Sequence, residues 1–401
     1  MESSIRIDKS RLVEMVHFTV ITIAGMSTVL RPSMESKLTL FRVLLPFIFL
    51  WLFMANRRRA FKLLSIIAVL VCYSTAVSFL SRFHTFSIVF NLYYVAVFVY
   101  YFYYKEILRI CGPERIYSYL SFLFKSLLVL GLVQYFFGGV YFNTISRLPA
   151  IHIFFWTENE YSSVLAIFVP LFFLKEKGFM KYLWIFAAIY LIAFDDAKLA
   201  VLSIIVFFGG YFLINFKLFR IRYLGFLVLG TLGVATLFFL REYSIQGKYT
   251  IGYFISRLVG NTIALEPLEH IGTFNSRSNA VILGVKEFLH SYMLGIGPGN
   301  SLIMMDEIVV PGTEEYTALS MHNFIMQLIT EMGIFGIGML AIFYIKVKRA
   351  AVRSTYPVNL VLVFYISSVI SITLLSGPWS NYFYLFILIY SVDFFGKNVK
   401  K

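Results

Sequence analysis

Residues 317–338, TALSMHNFIMQLITEMGIFGIG, mark the point where a long polar loop gives way to an apolar segment. His322 and Asn323 stand at the head of that segment, which is nearly free of charge, although the whole chain holds only six histidines. The segment continues to about residue 345, and about 20 apolar residues suffice for a helix to cross a bilayer. This stretch therefore predicts a transmembrane helix that begins with a histidine and an asparagine.

The composition of the 401-residue chain is typical of a membrane protein. Hydrophobic residues make up 59% of the chain and charged residues 14%, and the mean hydropathy is +0.80. A soluble protein of ordinary composition carries roughly 25% charged residues. Because so few charges cannot cover a water-facing surface, we predict an all-α, polytopic integral membrane protein.

Apolar runs long enough for membrane helices recur along the chain and predict twelve spans in a single membrane domain, residues 1–401. The first run lacks a small-residue cleavage site, which favours a retained span over a signal peptide. The predicted spans lie near residues 12–30, 38–55, 63–80, 88–104, 117–138, 161–174, 182–194, 199–216, 223–240, 323–345, 357–375 and 380–395.

The distribution of Lys and Arg sets the predicted orientation, because basic residues concentrate in cytoplasmic loops. Most of the 35 basic residues fall in alternate loops, such as the segments 57–62 and 346–353. Both termini are then cytoplasmic, and the protein is multi-pass. This topology accounts for the net charge of +14, so nucleic acid is not a predicted partner.

A long loop, residues 241–322, separates the ninth and tenth predicted spans on the periplasmic side. Loops beyond about 15 residues are usually functional or disordered. The amphipathic stretch SNAVILGVKEFLHSYMLG predicts short helices lying at the membrane surface. GIGPGN, residues 295–300, predicts a turn and not a phosphate loop, because no Gly-Lys-Ser follows it.

Other motifs predict structure more than chemistry. Gly333, Gly336 and Gly338 have the spacing of small residues that permit close helix packing. The two cysteines form neither a disulfide framework nor a metal-ligand spacing. We see no cluster of His, Cys, Asp or Glu with metal-site spacing and no nucleotide motif, so the sequence predicts neither metal nor cofactor.

His322 is the candidate general base. It lies where the long loop re-enters the membrane, at the positive end of a helix dipole. That end disfavours the imidazolium form, so we expect a neutral side chain that can accept a proton near neutral pH. The structural alternative is an interfacial histidine that only hydrogen-bonds the loop.

Three basic residues share the predicted external face with His322, namely Arg147, Lys198 and Arg277. Such a group suits an anionic diphosphate leaving group beside a hydroxyl that must lose its proton. Each has a simpler explanation when taken alone. Lys198 can pair with one of the two aspartates that precede it, and Arg277 can be solvated.

The order of these features resembles a known family. HNFIMQLITEMGIFG is similar to the His-Asn, nine residues, Gly-x-x-Gly pattern shared by O-antigen polymerases (Wzy) and O-antigen ligases (WaaL), where it opens the span after a large periplasmic loop. Three further stretches resemble their segments more weakly. FDDAKLAVLSIIV carries Lys198 where the family typically has Arg, and the other two are FNSRSNAVILGVKEFLHSYMLGIGPGN and TENEYSSVLAIFVPLFFL. The resemblance covers roughly residues 140–345.

The resemblance implies a metal-independent, inverting glycosyltransferase of the GT-C class that needs no cofactor. His322 would be the general base that activates the acceptor hydroxyl. Arg277 would bind the diphosphate and stabilise its charge as it leaves, with Arg147 and Lys198 as further diphosphate-binding residues. The expected acceptor-binding residues are Asn323, Glu158 and Asn159.

The resemblance also implies partners and a location. Donor and acceptor are expected to be undecaprenyl-diphosphate-linked oligosaccharides, with membrane lipid and a chain-length regulator protein as further partners. The expected location is the bacterial inner membrane, with a periplasmic active site. The product would be O-antigen or another surface polysaccharide of lipopolysaccharide biosynthesis.

Two other functions stay open on the sequence. A ligase uses the same donor but transfers the glycan to lipid A–core, and the shared motif does not separate it from a polymerase. A flippase for lipid-linked glycans, often built from twelve spans, is the third hypothesis. A transporter places charged residues along a midplane cavity and often has inverted repeats, whereas this chain concentrates its unusual polar residues at one face.

Overall fold

The computed structural model describes residues 9–25, 43–80, 87–137, 158–195, 197–215, 273–306, 321, 323–372 and 382–397. Within these ranges the regular secondary structure is helical, and no strand occurs there. The predicted all-α class is therefore confirmed for this part of the chain. The fold follows from long apolar runs whose backbone groups must be bonded within their own segment.

Over much of the chain, short connections separate consecutive helices. In chain order they are α1 Lys9–Gly25, α2 Leu45–Ala55, α3 Arg57–Leu80, α4 Ser87–Cys111, α5 Pro113–Phe137, α6 Glu158–Lys175, α7 Met180–Phe194, α8 Lys198–Asn215, α9 Thr273–His290, α10 Asn300–Asp306, α11 Phe324–Arg353, α12 Val358–Ile372 and α13 Tyr382–Lys397.

Eleven of the twelve predicted spans fall on these helices, and the ninth, 223–240, lies outside the described residues. Among the described helices, α3, α5 and α11 are long and apolar enough to cross a membrane. Five more helices contain shorter apolar segments. The chain is thus a helical membrane protein, and the number of crossings stays a prediction.

Helix α6 lies at the centre of the bundle. Every residue from 160 to 172 is buried, which is expected of a helix that is apolar on all sides. It packs against α5, α7, α8, α12 and α13. Aromatic rings fill much of the space between them, as where Phe124 of α5 contacts Phe168 and Phe172. This packing fixes where the amino-terminal end of α6 lies.

One end of the bundle holds a layer of paired charges. The carboxylate of Glu106 is fully buried and accepts hydrogen bonds from Arg59, at 2.5 Å, and from Arg109. Further ion pairs at this end join Lys105 to Asp393, Lys175 to Glu114 and Arg115 to Glu14. All of them lie at or next to loops that the sequence places on the cytoplasmic side, and the structure brings these loops to the same end.

We predict that Glu106→Ala destabilises the protein by about 2 kcal/mol, because it removes charge-assisted hydrogen bonds between a fully buried carboxylate and two partly exposed arginines. Thermal unfolding of the detergent-purified protein measures this effect. Glu114→Ala is the matched control, since the Glu114 side chain is 77% exposed and an exposed ion pair contributes about 0–1 kcal/mol. Equal melting temperatures for the two variants would contradict the assignment.

Candidate functional site

Helix α11 is interrupted at Gly333, whose φ of +53° and ψ of −135° are not helical. The N–H group of Ile334 donates to the carbonyl oxygen of Met293 at 2.8 Å. Glycine adopts this left-handed φ without the steric cost that a Cβ imposes. The break therefore opens the helix backbone to a segment from the long loop.

The turn 295–300 is that segment. The N–H group of Ile296 donates to the carbonyl of Thr330 at 2.9 Å, and that of Gly297 donates to the carbonyl of Glu331 at 3.0 Å. These two carbonyls lie just before the break in α11. GIGPGN thus forms the predicted turn, and its backbone fits against the interrupted helix.

The glycines of α11 differ from the prediction of close helix packing. A Cβ on Gly333 would lie 2.2 Å from the carbonyl carbon of Leu294, so the close partner is a turn and not a helix. A Cβ on Gly336 would meet its own helix, and one on Gly338 would meet no heavy atom within 4 Å. The packing prediction is therefore wrong for Gly338.

A buried carboxylate, Glu331, lies beside the break. Its side chain accepts hydrogen bonds from the hydroxyl of Ser301, from Gln327 Nε2 at 3.1 Å and from the Tyr94 hydroxyl at 3.0 Å. The backbone N–H group of Gly299 is also hydrogen-bonded to it. Because these donors come from α4, the turn, α10 and α11, one carboxylate joins four segments.

Glu331 is not among the site residues predicted from the sequence. It lies in the apolar run after His322, which is nearly free of charge. An ionisable residue seven positions into a membrane helix is expensive and usually has a function or a set of partners. That rule alone would have found Glu331, although it would not have identified the partners.

Asn323 begins α11. Its side-chain oxygen accepts a hydrogen bond from the N–H group of Met326 at 3.0 Å, which is the geometry of an amino-terminal cap. The cap explains why an asparagine occurs here without any ligand, and it fixes the start of α11 at Phe324, two residues after His322. His322 itself lies outside the described residues.

The helix that carries Arg277 packs against α11. On α9, a Cβ added to Gly284 would lie 2.5 Å from Met321 Cε and 2.7 Å from Thr330 Oγ1. Both helices run in the same direction, since Gly284 lies beside Thr330 and the later residue Met293 bonds Ile334. Arg277 stands two turns before Gly284, so its backbone is on the side of Asn323. Its side chain lies outside the described part.

A second polar group surrounds the start of α6. The Ser162 hydroxyl donates to Asp195 at 3.0 Å, the Ser163 hydroxyl donates to the carbonyl of Ser371 at 2.8 Å, and the Tyr384 hydroxyl donates to the carbonyl of Glu160 at 2.5 Å. These bonds join the first turns of α6 to the end of α7, the end of α12 and the start of α13.

Three predicted site residues begin the helices of this second group. Glu158 and Asn159 are the first two residues of α6, and Lys198 is the first residue of α8, three positions after Asp195. The structure thus brings Lys198 near Glu158 and Asn159 in backbone position. Their side chains lie outside the described residues, as does all of Arg147.

Helix α12 packs against both α8 and α11. Arg277 belongs with Asn323, and Lys198 belongs with Glu158 and Asn159. Across the described residues, no set of three or more His, Cys, Asp or Glu side chains could hold a metal ion. Since His322 and the Arg277 side chain lie outside that part, independence from metal stays a prediction.

No protein-family model matches the chain, and no curated protein matches it.

We predict that Gly333→Ala strongly reduces the yield and melting temperature of the folded protein. The new methyl group would overlap the backbone of Leu294. The left-handed φ would cost the alanine about 1–2 kcal/mol more. Gly338→Ala is the control on the same helix, and it should be neutral or stabilise by up to about 1 kcal/mol. Size-exclusion chromatography after graded heating compares the two. Wild-type stability of Gly333→Ala would show that the turn does not occupy the break.

Proposed function

We propose that this protein is a membrane-embedded polymerase of O-antigen or a related surface polysaccharide. In this proposal it joins undecaprenyl-diphosphate-linked repeat units at the periplasmic face of the bacterial inner membrane. The reaction is an inverting glycosyl transfer without metal or cofactor. The proposal starts from the resemblance of the His-Asn motif and its loop to the polymerase and ligase family.

One structural observation supports the proposal in addition to the order of the motifs along the sequence. Two segments of the resemblance pack as one unit, namely the loop segment that ends in GIGPGN and the helix that Asn323 caps. Backbone bonds of 2.9 Å from Ile296 to Thr330 and of 3.0 Å from Gly297 to Glu331 hold them together. This unit supports a shared site for His322 and Arg277. The helix that follows His322 and the helix that contains Arg277 run in the same direction and start at the same end of the bundle.

In the proposed reaction, an acceptor hydroxyl attacks the anomeric carbon of the donor glycan. The hydroxyl proton passes to the imidazole of His322 while the bond between that carbon and the diphosphate oxygen breaks. Arg277 stabilises the negative charge on the leaving undecaprenyl diphosphate. The attack from the opposite face inverts the anomeric configuration.

In this proposal, the polar group at the start of α6 helps to bind the diphosphate and the acceptor. Lys198 begins α8 beside the first turn of α6, where Glu158 and Asn159 stand. A lysine there adds positive charge for the diphosphate without the bidentate geometry of arginine. Glu158 and Asn159 orient the acceptor sugar with Asn323, and Arg147 adds a further charge. A lipid-linked donor reaches such a site laterally between helices.

The test is a reaction of purified protein with lipid-diphosphate-linked repeat units and no added metal. A ladder of lengthening glycans on a gel is the expected result. Transfer only when lipid A–core is supplied would make the protein a ligase. Absence of both products, with the chain-length regulator present, would reject glycosyl transfer and leave transport of the lipid-linked glycan as the next hypothesis.

We predict that His322→Ala folds normally and loses activity by about 10²–10⁴-fold, the usual contribution of general acid–base catalysis. Initial rates in the polymerisation assay measure the loss. His290→Ala is the matched control, because this histidine is exposed on α9 and has no role in the proposed reaction. Near-normal turnover by His322→Ala would show that another group removes the proton.

A further inference from the structure

We infer that residues 273–306 form a re-entrant hairpin whose tip, Tyr292–Leu294, is immersed in the hydrocarbon of the bilayer. The partner of this exposed tip is the acyl chains of membrane lipid. The inference replaces the expectation that the short helices of the long loop lie flat at the membrane surface. It rests on α3 and α11 being membrane helices and does not depend on the proposed function.

Helix α11 gives a first measure of depth. The carbonyl oxygen of Met293 bonds the N–H group of Ile334. Twelve residues farther along α11 stands Lys346, the first of the basic residues at the predicted cytoplasmic end. Twelve residues of helix span about 18 Å. The tip of the hairpin therefore lies about 18 Å above the basic layer.

Helix α3 gives a second, independent measure. The hydroxyl of Tyr73 donates to the carbonyl of Leu294 at 2.8 Å and to that of Met332 at 3.2 Å. Fourteen residues, about 21 Å of helix, separate Tyr73 from Arg59 in the charged layer. A hydrocarbon core about 30 Å thick then extends about 10 Å beyond the tip. Both helices place the tip inside the membrane.

The backbone N–H groups at the tip of the hairpin satisfy a condition for entering a membrane. In hydrocarbon, backbone polar groups need partners within the protein, and non-helical backbone is tolerated where it packs against protein. Every N–H group from Ser291 to Asn300 donates within the protein, and Pro298 has none. The acceptors are carbonyls of α9 and of the turn, the Ser291 hydroxyl, two carbonyls of α11 and the carboxylate of Glu331.

The side chains at the tip are apolar and exposed. Tyr292 is 88% exposed and Met293 50%, and both have left-handed φ values, +52° and +63°. Such values cost non-glycine residues about 1–2 kcal/mol each, so the surrounding bonds hold them in place. On α11, Ile334 next to the tip is 60% exposed. Together these residues form a continuous apolar surface of the kind that faces lipid.

The positions of two polar residues on α9 are consistent with this depth of the tip. Lys286 and His290 are also exposed, and they precede the tip by about two turns and one turn. Lys286 therefore lies closer to the outer boundary, where a long side chain brings its amine to the headgroups while its stem remains among apolar groups. The polarity of the exposed face falls from Lys286 to Met293, as expected for a helix that descends into the bilayer.

Cysteine accessibility in lipid nanodiscs, where both faces meet solvent, tests the inference. Single cysteines are placed in a Cys72→Ala, Cys111→Ala background, and each is treated with a membrane-impermeant maleimide. Phe179→Cys in the α6–α7 connection is the water-exposed reference, and Phe186→Cys in the middle of α7 is the lipid-exposed reference, since both native side chains are at least 70% exposed. Only variants that elute as a single species on size-exclusion chromatography are compared.

We expect Tyr292→Cys to react at least tenfold more slowly than Phe179→Cys and at a rate close to that of Phe186→Cys. Lys286→Cys should react faster than Tyr292→Cys. A bimane label on residue 292 should be quenched by lipids that carry a nitroxide in the middle of the acyl chain. Rapid labelling of Tyr292→Cys, or equal rates at 286 and 292, would place the hairpin at the surface and overturn the inference. No glycan substrate is present, so the result is independent of the polymerisation assay.

Discussion

A break in a membrane helix releases backbone groups that need new partners, and the described structure around α11 depends on this constraint. At Gly333 the carbonyls of Thr330 and Glu331 and the N–H group of Ile334 have their partners in the loop segment 293–297. Unsatisfied groups in hydrocarbon cost several kcal/mol each. The break and the turn therefore stabilise each other, and neither conformation would persist without its partner.

The Glu331 carboxylate extends the same constraint to side chains. It gathers donors from Tyr94 on α4, from Ser301 on α10 and from the turn itself. A buried carboxylate with this many donors is restricted to one position, and so are the segments that provide them. The consequence for the proposed site is geometric. The helix of Arg277 and the helix that follows His322 are held in a defined relation by groups that take no part in the chemistry.

The two ends of the bundle are stabilised in different ways. At one end, ion pairs such as Glu106 with Arg59 join neighbouring helices, and at least one partner of each pair is partly exposed. Toward the other end, hydroxyl and backbone groups also form hydrogen bonds between helices, as in the bond from Ser163 to Ser371. Neutral hydrogen bonds suit the apolar interior because they bury no net charge. Lys198 and Arg277, which are proposed to bind the diphosphate, belong to helices that start at this second end.

The amino-acid sequence by itself determined the helical class, most helix positions and the shared end of the basic loops. Apolar runs and clusters of Lys and Arg are local properties, so no knowledge of distant contacts is needed to interpret them. The asparagine cap at Asn323 is equally local. The depth of the hairpin, the break at Gly333 and the partners of Glu331 were decided only by the tertiary structure. Each of these depends on hydrogen bonds between segments far apart in the chain, and no periodicity or composition specifies which distant group completes a bond.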